Sequence, residues 1–162
     1  HKDTVELLLQ NNADVNQCDK YGQSPLYGAC AREHKDTVEL LLQNNADVSK
    51  CNKDGQSPLF VACEQVHKDT VELLLQKKAD VSQCNTKGDS PLHAVSRFNK
   101  YFMTNYAKRF IETVKALLAW KADVTLRNKN GQTPLDIARA SLSKEFVNLF
   151  EENLQLKESQ LK

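Results

Sequence analysis

The chain has 162 residues, with 22 Lys and Arg against 21 Asp and Glu and a formal net charge of +1. So even a balance gives no electrostatic reason to expect nucleic acid or an anionic membrane as the partner. No apolar run approaches the roughly 20 residues of a membrane span and no charged-then-apolar leader precedes a cleavage site, so the chain reads as soluble.

The first element is HKDTVELLLQ, with Val5, Leu8 and Leu9 at helical spacing, and the same ten residues return at His34 and His67. Ser-Pro-Leu recurs at Ser24, Ser57 and Ser90 and returns as Thr133-Pro134-Leu135, each time two residues after a glycine, Gly22, Gly55, Gly88 or Gly131. The first two spacings are 33 residues and the third is 43. A fixed period of this length marks a stacked repeat protein, whose core is a long thin seam between neighbouring units.

Residues 19–48 show what one unit contains. DKYGQ carries a glycine among polar residues and reads as a hairpin tip with positive φ. Ser24 then caps a short helix with Pro25 at its first position, and Leu26, Ala29 and Cys30 follow on one face. Asp36, with Glu39 three residues on, opens a second helix in capping-box fashion, with Val38, Leu41 and Leu42 as its apolar stripe. Asn45 stands where a residue tolerant of left-handed geometry ends it.

Turn, helix, helix and turn in DKYGQSPLYGACAREHKDTVELLLQNNADV resemble the ankyrin repeat family, from residue 1 to about 150. The resemblance implies an all-α solenoid of stacked helix-turn-helix units joined by β-hairpin-like turns. The units divide as 1–17, a second helix alone; 18–50; 51–83; 84–126, with ten inserted residues at about 98–110; and 127–162, a capping repeat whose last helix carries Phe146, Leu149, Phe150 and Leu154 on one stripe. With no first helix before residue 1, the chain is expected to be a fragment of a longer protein. Two departures from the family pattern stand out. The histidine of its TPLH motif survives only as His93, being Tyr27, Phe60 and Asp136 elsewhere, and the glycine before Ala-Asp-Val is Asn12, Asn45, Lys78 or Lys121. Lysine is the least comfortable there, so strain is expected at those two turns.

Chemistry has little foothold. His1, His34 and His67 are period mates too far apart to chelate together, and are expected to hydrogen-bond between loops of adjacent units. Asp14, Asp47, Asp80 and Asp123 are expected to hold backbone N–H groups in the Ala-Asp-Val turns. Of the five cysteines, Cys18, Cys51 and Cys84 share one position and Cys30 and Cys63 another. Neighbouring units lie about 8–10 Å apart, beyond disulfide reach, so free thiols in a reducing, intracellular compartment are expected, cytoplasmic or nuclear. No CxxC, phosphate loop, GxSxG or HExxH is present. The expectation is no enzyme, no cofactor and no metal.

By the family resemblance the function is protein–protein recognition on the concave side, built from hairpin tips and first-helix faces. Carried over by position, that side comprises Lys20, Tyr21, Gln23 and Arg32; Lys53, Asp54, Gln56, Glu64 and Gln65; Thr86, Lys87, Asp89 and Arg97; and Lys129, Asn130 and Gln132. These vary between units that are otherwise near copies. The insertion adds Phe98, Tyr101, Phe102, Tyr106 and Phe110 beside Arg97, Lys100, Lys108 and Arg109, without an acidic residue. Either it lengthens the helices with its rings inward, or it forms part of the partner site through Phe98, Tyr101 and Phe102; stacking on single-stranded nucleic acid is a remoter reading. Trp120 is expected to pack over the insertion. Two rival functions remain: Asn16, in Asp14-Val15-Asn16, resembles a target of the asparaginyl hydroxylase that modifies ankyrin arrays, and the chain could serve as a structural or self-assembling spacer. A monomer binding a protein or peptide is the committed expectation, with no nucleic acid and no membrane.

Overall fold

The computed structural model describes residues 2–97, 103–141 and 144–160. Among them are nine helices and no strand: α1 (Lys2–Gln10), α2 (Pro25–Ala31), α3 (Lys35–Gln43), α4 (Pro58–Glu64), α5 (Lys68–Gln76), α6 (Pro91–Ser96), α7 (Met103–Ala119), α8 (Pro134–Ser141) and α9 (Lys144–Gln160). Short helices α2, α4, α6 and α8 pack in one row, and α1, α3, α5 and α7 in a second row behind them. Each short helix also packs on the long one that follows it.

The starts of the short helices follow from their caps. Ser24 and Ser57 are extended, and each hydroxyl accepts the N–H three residues on, from Tyr27 and Phe60, at 3.1 Å. Proline at the next position has no N–H to leave unpaired. At α8 the cap is reciprocal: Thr133 Oγ1 accepts from Asp136 N–H at 3.1 Å, and Asp136 accepts from Thr133 N–H at 2.9 Å.

The second helices start differently from the expectation. His34, not Asp36, is the N-cap of α3, and it makes no side-chain capping bond. Asp36 falls within the first turn, where its charge meets the positive end of the helix dipole. The reason lies in the preceding residue: Glu33 takes φ +57°, so the chain reverses there and the helix begins early. Val66 does the same at φ +58° while fully buried, an unusual state for a β-branched residue. Asn12, Asn45, Lys78 and Lys121 all end their helices near φ +63° to +64°, so the two lysines hold the left-handed geometry foreseen as uncomfortable for them.

The seam repeats with the sequence. Leu26, Leu59 and Leu92 from the short helices are fully buried, and so are Val38, Val71 and Val114 from the long ones. Cys30 and Cys63 lie among them, and burial pushes both thiols far up. All five cysteines are free. At the C-terminal end Val147 and Phe150 of α9 are buried and Leu154 packs partly against them; the side chain of Phe146 lies outside the described residues.

Among the described residues one buried side-chain group is unsatisfied. Thr70 Oγ1 in α5 has no hydrogen-bond partner, although its residue is fully buried, whereas the equivalent Thr113 hydroxyl donates to Arg109 O at 2.8 Å. A buried hydroxyl without a partner costs about 1–3 kcal/mol. Thr70→Val keeps the shape and is expected to stabilise the chain by about 1 kcal/mol; urea unfolding that shows a loss would contradict the isolation of this hydroxyl.

Candidate functional site

The hairpin tips are built alike. An Asx side chain three residues before each glycine accepts two backbone N–H groups of its own turn: Asp19 from Tyr21 and Gln23, Asn52 from Asp54 and Gln56, Asn85 from Lys87 and Asp89, Asn128 from Asn130 and Gln132. Successive tips are then tied by single backbone bonds, Lys53 N–H to Tyr21 O, Thr86 N–H to Asp54 O and Lys129 N–H to Lys87 O, at 2.9–3.0 Å. Gly55 shows how close the approach is: φ is +73°, and a Cβ there would meet Thr86 N at 2.9 Å. The tips therefore stand in one row.

Between the third and fourth tips and the short helices opens a groove of about 590 Å³. It brings together Gln56, Glu64, Thr86, Lys87, Asp89, Arg97, Lys129 and Asn130 from the expected set, and adds Phe60 and Asn85. Two neighbouring junctions are bridged by side chains: Tyr27 donates its hydroxyl to Gln56 Oε1 at 3.1 Å, and His93 Nε2 meets Gln132 O at 3.0 Å. Phe60 occupies the equivalent position at the intervening junction and has no polar atom to offer.

Asp89 lines the groove but is bonded from within. It is 2% exposed; its carboxylate accepts from Arg97 Nη2 at 2.8 and 2.9 Å and from Asn128 Nδ2 at 2.7 Å. Where Gln23, Gln56 and Gln132 stand in the other units, this shorter charged side chain turns inward and braces the tip against the end of α6. Glu64 has a different lot. Burial pushes its carboxyl above the ordinary 4.5, against the pull of Arg97 and Lys87.

Lys20, Tyr21, Lys53 and Asp54 occupy the first two tips and are exposed. Arg32 and Gln65 are exposed at the ends of α2 and α4, whereas Gln23 and Gln132 are half-buried. Phe98, Lys100, Tyr101 and Phe102 lie outside the described residues. Of the remaining inserted rings Phe110 is fully buried and Tyr106 is 39% exposed. Trp120, expected to pack, is 47% exposed.

Residues 1–85, and again 44–106, match the family model for ankyrin repeats in three copies, and residues 87–129 match that of a single ankyrin repeat. The chain belongs to the ankyrin repeat family. No curated protein matches it. Ankyrin repeats are protein–protein interaction modules and their proteins are typically non-enzymatic scaffolds. Among the described residues no helix is long and apolar enough to cross a membrane, and no three His, Cys, Asp or Glu side chains converge as metal ligands would.

Ankyrin-loop bonds fall largely where they were expected. His67 Nδ1 meets Cys30 O of the preceding repeat at 2.9 Å. Asp14, Asp47, Asp80 and Asp123 each accept the N–H two residues on. Asn16, the modification candidate, is half-buried and its Oδ1 accepts Asp47 N–H at 2.8 Å, tying its turn to the next. Two features were missed. The four Asx residues carried a visible signal, the same 33-residue period, in Asp19, Asn52 and Asn85. The brace formed by Arg109 on Glu33, with His67 Nε2 3.9 Å from the same carboxylate, carried none, since it joins residues 76 apart.

His93 gives the stability of the stack a pH dependence. Its Nδ1 accepts Ser90 N–H at 3.1 Å, which leaves the proton on Nε2 for Gln132 O. Burial holds the imidazole below its ordinary 6.5. The unfolded chain then binds more protons than the folded one just below pH 6.5, so this group's contribution is complete above that pH and is lost as pH falls beneath it. The unfolding free energy of the native chain minus that of His93→Gln is expected to shrink between pH 7.5 and 5.5, by at most about 1.4 kcal/mol per pH unit; a difference that grows on acidification would refute the assignment.

Proposed function

We propose that this chain is an ankyrin-repeat recognition module that binds a protein partner on the surface formed by its hairpin tips and short-helix ends. The observation that carries the reading is the groove, where residues of three successive tips and the ends of α4 and α6 come together around Arg97, Lys87, Lys129 and the half-buried Glu64. Polar groups at such a place contribute orientation and specificity, over a floor that includes the buried Phe60. Repeat boundaries at 18–50, 51–83, 84–126 and 127–162, with a second helix alone in 1–17, belong to this reading. So does an intracellular setting, which the five free thiols support.

A photo-crosslinking amino acid tests it directly. Placed at Thr86 or Asn130 in the expressing cell, it is expected to give discrete protein adducts. Placed at Lys115, exposed on α7 in the other row, it is expected to give none. Adducts from Lys115 alone, or equally from all three positions, would remove the groove as the binding surface.

A further inference from the structure

We propose that the groove between the third and fourth tips binds one acidic side chain, aspartate or glutamate, of a protein partner, with its carboxylate held between Lys87 and Lys129; this rests on the recognition reading above and names the chemistry of its partner. The row of tips is irregular at this point. Lysine is the second residue of the first, second and fourth tips, as Lys20, Lys53 and Lys129, whereas the third tip has Thr86 there and its lysine one residue later. The backbone bond between successive tips joins the third residue of one to the second residue of the next, so it pairs Tyr21 with Lys53, Asp54 with Thr86, and Lys87 with Lys129. Residues joined in this way lie on the order of 5–6 Å apart. The shifted lysine therefore sets two ammonium-bearing side chains next to each other at this junction and at neither of the other two.

Both lysines are exposed and both line the groove. Like charges opposite each other destabilise paired backbone, and among the described residues neither ammonium is paired with a carboxylate. Arg97, the third cation of the groove, is answered from within, because Asp89 holds its Nη2. With Glu64 as the other carboxylate, the lining carries three cations against two anions, a net charge of +1. One carboxylate neutralises it. A phosphoryl group, at about −1.5 to −2, overshoots it beside Glu64, and a nucleic-acid strand does so further. Neutral donors complete the seat. Asn52 Nδ2 donates to Gln56 Oε1 at 2.9 Å and Asn128 Nδ2 to Asp89 at 2.7 Å, but the Asn85 amide between them has no such partner among the described residues. It lines the groove with Thr86 and Asn130, so a carboxylate there finds hydrogen-bond donors as well as charge.

The test uses the whole chain, isotope-labelled, and three short peptides with blocked ends, Gly-Ser-X-Ser-Gly, in which X is glutamate, glutamine or phosphoserine. Each is titrated at fixed salt while the amide resonances of the chain are followed. The glutamate peptide is expected to shift the Asn85, Lys87 and Lys129 resonances saturably and to bind at least about tenfold tighter than the glutamine peptide, with phosphoserine gaining less than about tenfold over glutamate. Lys87→Ala with Lys129→Ala is expected to abolish the saturable shift. Lys35→Ala with Lys115→Ala removes the same charge from exposed positions in the other row and is expected to leave it unchanged. Equal binding of the glutamine peptide, or an equal loss in the Lys35 and Lys115 variant, would show that the lysine pair recognises no carboxylate and overturn the proposal. A gain of tenfold or more with phosphoserine would overturn it in favour of a phosphoryl group. Crosslinks from Thr86 and Asn130 to a protein, together with no response to the glutamate peptide, would leave the recognition surface standing and the partner chemistry wrong.

Discussion

Leu74→Ala is expected to lower the unfolding free energy by about 3 kcal/mol, within the range for deleting a fully buried leucine, while Leu8→Ala costs under about 0.5 kcal/mol. Both residues sit at the seventh position of the same nonapeptide, KDTVELLLQ. Leu74 is fully buried, with α4 and α7 packed on its helix, whereas Leu8 is 54% exposed. Leu41, 1% exposed between α2 and α1, is expected to behave like Leu74. Urea unfolding followed by circular dichroism measures all three, with the slopes compared because stacked repeats can lose two-state cooperativity. A loss at Leu8 as large as at Leu74 would mean that the exposed face of α1 is covered in solution.

Phe110→Ala is expected to cost about 4 kcal/mol, as for a buried aromatic truncated in a core. Phe110 occupies the position of His34 and His67 in the earlier repeats, and its ring is fully buried. There α7 runs for 17 residues where α3 and α5 run for nine, and the extra turns precede Phe110. This end of the insertion thus lengthens the helix with its ring inward, the first of the two roles foreseen for it. Tyr106→Ala, at a residue 39% exposed, is expected to cost under half as much. Thermal unfolding of the two variants side by side is the check. Near-native stability in Phe110→Ala would show that the ring is not core.

Much of the array was legible because its signals are local. Ser24, Ser57 and Ser90 announce the short helices through a capping geometry complete within four residues. Gly22, Gly55, Gly88 and Gly131 announce the tips, and all adopt positive φ. The start of α3 was misplaced because glutamate does not advertise the reversal at Glu33, as a glycine or asparagine there would have done. For the binding surface, the family resemblance carried over by position singled out Glu64, Lys87, Arg97 and Lys129, and the groove gathers them. It could not show that Asp89 turns inward, since its partners Arg97 and Asn128 come from the end of α6 and from the next tip.

The nonapeptide repeated at residues 2–10, 35–43 and 68–76 separates the two kinds of determination. Its nine residues form a helix in all three places, because the spacing of the apolar side chains and the acidic first turn are carried within the segment. Burial is not carried within it. The helix α1 has no buried residue, α3 buries Thr37, Val38 and Leu41, and α5 adds Leu75 to the equivalents of those three. An amphipathic stripe specifies which face will be covered, but water leaves that face only where another helix displaces it, and here the neighbours are α1, α2 and α5 for α3, and α3, α4 and α7 for α5.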